Sequence, residues 1–127
     1  MAQNINFNKN NEANFTLIEK YTPEKMTPLE LFHQIAEETP DARPGKMFGA
    51  LCLKAGNGKA AAMFWKDNMV FKLTGEDEQE ARSLDGTSTF NPMGTKPMNG
   101  WIQVPFDYAD KWQAFAVSAL AYVSTLK

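Results

Sequence analysis

Three short apolar runs divided by turn residues fill positions 48–73, and this pattern restricts the fold more than any other part of the chain. Residues 48–54 and 59–65 flank Ala55-Gly56-Asn57-Gly58, which places flexible residues where a β-hairpin needs them. Lys66-Asp67-Asn68 then turns the chain into a third run, residues 69–73. There Met69, Phe71 and Leu73 alternate with Val70 and Lys72, the two-residue period of a strand with one face on a core. In the first two runs both faces are apolar. Leu51, Leu53 and Phe64 are large, whereas Ala50, Cys52, Ala60 and Ala62 are small. A small-residue face is open to cover by a helix, by the N-terminal arm or by a second subunit, so a homodimer is one reading.

Helical patterns surround the strands. Thr27 is placed to cap a helix with Pro28 at its first position and Glu30 completing a capping box. Leu29, Phe32, Ile35 and Ala36 form its apolar face, and Thr39-Pro40 stops it. A second helix is expected over residues 76–84, with Glu76, Asp77 and Glu78 in the first turn, where the helix dipole favours anions. Residues 87–90 read as a short strand and residues 101–104 as another. Asp107 is the expected cap of a long final helix, about residues 108–126, buried through Trp112, Phe115, Ala116, Ala119, Tyr122, Val123 and Leu126. These patterns give four to five strands with N-terminal, middle and long C-terminal helices.

The 127 residues suffice for one domain. Residues 1–24 divide off as an asparagine-rich arm, with Phe15, Leu17, Ile18 and Tyr21 as its candidate anchors, and residues 25–127 form the domain. A net charge of −2 argues against bulk polyanion binding, but the charge is unevenly spread. Residues 1–42 carry three lysines and seven acids. Residues 43–72 carry Arg43, Lys46, Lys54, Lys59, Lys66 and Lys72 against Asp67 alone. A single cysteine, Cys52, precludes an intramolecular disulfide and fits a reducing, cytoplasmic setting. The opening MAQNINFNKNNEANF has no apolar signal-peptide core, and no run approaches the ~20 apolar residues of a membrane span, so no membrane association is expected.

Chemistry-bearing motifs are scarce. One His and one Cys cannot build a His/Cys metal site, and the acids show no ligand-like spacing, so neither a metal nor another cofactor is expected. His33 lies off the apolar face of its helix. Gly56-Asn57-Gly58-Lys59 fails as a phosphate loop, because Leu53 stands where a glycine is required and Ala60 where Ser or Thr is required. No Gly-x-Ser-x-Gly nucleophile turn occurs. No catalytic residue is therefore assigned.

Residues 90–105, FNPMGTKPMNGWIQVP, form a long Pro- and Gly-punctuated loop leading into a strand. Phe90, Met93, Met98 and Trp101 mark it as packed rather than free, and ordered long loops often carry function. Lys46-Met47-Phe48-Gly49, Met69-Val70-Phe71-Lys72-Leu73, Phe90-x-Pro92-Met93-Gly94, Pro97-Met98-x-Gly100-Trp101, Val104-Pro105 and Trp112 follow one another in an order that resembles the TfoX N-terminal domain-like family (TfoX/Sxy) over about residues 28–125. The resemblance implies an α+β fold, a two-layer sandwich of an antiparallel sheet with helices packed against it, in a small stand-alone domain related to regulators of bacterial competence, with no catalytic residues to carry over. Those regulators have a second, C-terminal domain, whereas this sequence ends at Lys127.

The expected function is thus a binding or regulatory module without catalysis, acting on a protein partner. Its candidate surface is Arg43, Lys46, Met47, Lys72, Lys96, Met98 and Trp101. Weak nucleic-acid binding through residues 43–72 is the first alternative. A small-molecule-binding enzyme, with a pocket at Lys72, Trp101 or Tyr108, is the second.

Overall fold

A computed structural model describes residues 23–127 as an α+β domain with one six-stranded antiparallel sheet. Residues 1–22, most of the expected arm, lie outside the described residues. The strands are β1 (Arg43–Met47), β2 (Ala50–Lys54), β3 (Ala60–Trp65), β4 (Asn68–Lys72), β5 (Ser88–Thr89) and β6 (Trp101–Val104), arranged β1-β2-β3-β4-β6-β5. The helices are α1 (Pro28–Glu38), α2 (Gly75–Ser83) and α3 (Ala109–Val123). No helix among the described residues is long and apolar enough to cross a membrane.

Local chemistry explains the elements. The Thr27 hydroxyl accepts from the Glu30 N–H at 3.1 Å, and the Glu30 carboxylate accepts from the Thr27 N–H at 2.9 Å, closing the capping box of α1. The β1–β2 and β3–β4 connections are two-residue turns, Phe48-Gly49 and Lys66-Asp67, with positive φ at all four positions. Such turns match the right-handed twist of the strands they join. The four-residue turn between β2 and β3 places the Asn57 side chain under α3. It donates to the carbonyls of Val123 and Leu126 at 2.9 and 3.1 Å, anchoring the turn to the last residue of the helix and to the segment after it.

The main core lies between the sheet and the helices. Leu53, Ala62, Met69, Phe71, Ile102 and Val104 project from the strands. Phe32 and Ile35 of α1, with Trp112, Phe115, Ala116 and Ala119 of α3, pack on them. Each fully buried large side chain contributes about 1.5–3 kcal/mol through removal from water. Phe71 meets Phe115 at 5.6 Å between ring centres, and the Trp112 indole N–H donates to the Pro105 carbonyl at 3.2 Å.

Three details correct the sequence reading. The sheet has six strands rather than four to five, because the segment Arg-Pro-Gly-Lys-Met also pairs, as edge strand β1. Ala62 does not share the small-residue face. The register shifts between Leu53 and Lys54, so that Leu53 pairs with Ala62 and Lys54 with Ala60, leaving Ala61 as the extra residue of a bulge. Ala62 therefore faces the helices, opposite Phe71. Asp107 is not the cap of α3. It lies in a 3-10 turn, Phe106–Tyr108, and the α-helix starts at Ala109.

Candidate functional site

The sheet face away from the helices has its own small core. Cys52, Met63, Val70, Phe90 and Trp101 are buried there, with Met47, Ala50, Ala60, Trp65 and Met98 partly buried around them. Its cover is the loop between β5 and β6. The Phe90 N–H donates to the Trp101 carbonyl at 2.7 Å, and the Met98 N–H donates to the Phe90 carbonyl at 2.8 Å, so the base of the loop is closed on itself. Asn91 holds the tip, its carbonyl accepting from the Gly94 N–H and its side chain from the Lys96 N–H. The Leu73 N–H donates to the Gly100 carbonyl at 2.9 Å, which ties the loop to the end of β4.

Packing now distributes the expected surface residues. Met47, Met98 and Trp101 come together around the second core, but as its seal: Trp101 is only 7% exposed. Lys72 pairs with Trp101 across β4 and β6, and its ammonium stands 5.6 Å from the indole centre. Lys96 is exposed on the loop. Lys46 pairs with Leu51, which packs against the helix-side core, so Lys46 points away from this face. Arg43 pairs with Lys54 on the helix-free side, yet the two like charges diverge. Arg43 reaches toward Gly56, whereas the Lys54 chain lies along Gly45 and over Cys52. A Cβ at residue 45 would come within 2.9 Å of Lys54 Cε, so glycine is what leaves the groove for that chain.

Charge is sorted across the sheet. None of the six strands contains Asp or Glu, and their cations are Arg43, Lys46, Lys54 and Lys72. Two of the helices are the reverse: α1 has three glutamates and no Lys or Arg, and α2 has four acids and one arginine, whereas α3 balances Asp110 with Lys111. On the helix-free side Lys66 also stands 5.5 Å from the Trp65 ring centre. The face is therefore cationic around a sealed apolar centre. Within it, burial pushes the Cys52 thiol above its ordinary value of 9.0, while the Lys54 charge pulls it partly back. A thiol so placed is protonated and inert at neutral pH.

Two apolar side chains protrude that the sequence reading did not single out as contacts. Met93, expected to pack with the rest of the loop, is instead 76% exposed at its tip, and Phe48 in the β1–β2 turn is 56% exposed with φ of 55°. Phe48 is the more telling. A bulky residue at positive φ is strained, and Asn or Asp is the usual occupant of this turn position. The available signal was a Phe-Gly pair between two alternating runs, where Asn-Gly would be usual. Among the described residues, no three His, Cys, Asp or Glu side chains gather as a metal site requires. No family model, curated protein or solved structure matches the chain.

Proposed function

We propose that the domain is a non-catalytic binding module that takes an acidic protein partner on its helix-free face, with Phe48 as the contact residue. Phe48 carries this reading. It spends conformational energy to hold an aromatic ring in solvent, and aromatic residues dominate the energetics of protein contacts. Lys54 and Lys72, at the ends of their strands away from the Phe48 turn, and Lys96 on the loop give the helix-free face a positive charge, which steers encounter and favours an acidic surface. The order of the chain's motifs, which resembles that of the TfoX N-terminal domain-like family, is in keeping with a regulatory binding role of the same kind. Capture of partners from the native cell extract tests the reading. A protein retained by the parent domain is lost with Phe48→Asn and again with Lys72→Glu plus Lys96→Glu, while both variants stay folded. Retention of the same proteins by all three forms defeats it.

The acid-free strands favour nucleic acid as a second reading. Lysines would neutralise phosphates, and binding would weaken steeply as salt rises. Trp101 is too buried to serve as a stacking platform, which places this reading behind the first. A single-stranded oligonucleotide titrated at low salt should bind, and should be released by salt, if it holds.

A further inference from the structure

A second feature lies at the other side of the molecule. A cleft of about 360 Å³ opens between the later half of α3, the connection from α1 to β1 and the β2–β3 turn. That volume falls in the range of small-ligand pockets, at its lower end. Val117, Leu120 and Ala121 form an apolar wall, and Val117 is half exposed although it lines a concavity. Arg43 enters from the β1 side, and Glu38 and Asp41 line the α1 side. Arg43 forms no ion pair with either acid; among the described residues the ion pair found is Arg82–Glu78. Both α1 and α3 end at this cleft, and neither has a basic residue in its last turn. Two helix C-termini therefore add negative potential beside the two carboxylates.

We infer that this cleft binds a small zwitterion of the α-amino acid type with an aliphatic side chain. Arg43 holds the carboxylate, whose two oxygens match the guanidinium fork. Glu38, Asp41 and the helix ends hold the ammonium. Val117, Leu120 and Ala121 take the aliphatic part. A purely anionic ligand would meet two carboxylates, and a purely cationic one would leave Arg43 unanswered. The inference rests on the cleft alone, independent of the helix-free face, so either reading can fail without the other.

The test is titration of the full chain with L-leucine, followed by NMR of the Val117 and Leu120 methyl groups. Saturable shifts of those methyls are expected. Leucinamide, which lacks the carboxylate, and isocaproate, which lacks the ammonium, should each bind at least about tenfold more weakly. Arg43→Met should weaken leucine by a similar factor. The double variant Glu38→Gln plus Asp41→Asn, which alters no strand, should do the same for leucine but not for isocaproate. Absence of saturable shifts overturns the inference. Equal binding of leucine and leucinamide, or undiminished leucine binding in both folded variants, overturns it as well.

Discussion

The side-chain amide of Asn57 donates to the Val123 carbonyl at 2.9 Å, so a sheet turn closes the C-terminal end of the longest helix. The same amide also reaches the Leu126 carbonyl, and its oxygen accepts from the Lys59 N–H. Asn57→Ala should lower stability by about 1–2 kcal/mol, the sum expected for these modest net hydrogen bonds. Asn57→Asp should be worse, because it keeps the acceptor, loses the donor and sets a negative charge at a helix C-terminus. Urea denaturation of the three forms gives the order; equal midpoints would show the contact to be idle.

Phe48→Asn should stabilise the domain. Asparagine adopts positive φ readily and suits this turn, and relief of the backbone strain should bring about 0.5–1 kcal/mol. The same substitution is expected to abolish partner capture. A gain in stability accompanied by a loss of binding separates a contact residue from a structural one. A loss of stability would place Phe48 in the fold instead.

The loop over the helix-free face should behave as core at its base and as surface at its tip. Phe90 is fully buried, and Phe90→Ala is expected to cost about 3–5 kcal/mol. Met93 is largely exposed, and Met93→Ala should change stability by less than about 0.5 kcal/mol. Denaturant midpoints for the two variants check this directly. Similar values for both would mean that the loop does not seal the second core.

Cys52 predicts a pH dependence. Its thiol titrates above 9.0 in the folded chain because burial disfavours the thiolate. In the alkaline range the folded state then holds a proton that the unfolded state has released, so stability falls as pH rises. The contribution is complete below the unfolded value and is lost on passing upward through the folded one. The stability of Cys52→Ala should therefore decline less between pH 8 and pH 10, an interval of about two units around the ordinary thiol value. Parallel decline in both forms would assign the alkaline loss to other groups.

Much of this architecture was legible where one local signal acted alone. Thr27, Pro28 and Glu30 define the start of α1 without help from the rest of the fold. Likewise, the alternation of Met69, Phe71 and Leu73 assigns their side of β4. Legibility failed where distant partners decide. Pro44 and Gly45 read as loop residues, and become a strand only because β2 supplies a partner and an edge tolerates proline. Ala62 changes face because a bulge at Ala61 shifts the register, and nothing local announces it. Asp107 has the chemistry of a cap, but Pro105 starts a 3-10 turn first, its carbonyl accepting from the Tyr108 N–H at 3.0 Å. For the candidate surface, composition located the cations, but only packing shows that Met98 and Trp101 are sealed, that Lys46 and Arg43 leave the face, and that Phe48 stands exposed in the β1–β2 turn.

The separation of strand lysines from helix acids gives the molecule a direction. With Lys54, Lys72 and the loop's Lys96 on the helix-free side of the sheet and the acids of α1 and α2 on the other, the domain has a dipole across its thickness. A charged surface at a distance would rotate it before touching it. Orientation, ordinarily left to chance collisions, would then be set during approach, and the gain would be read in association rates that slow as salt is added.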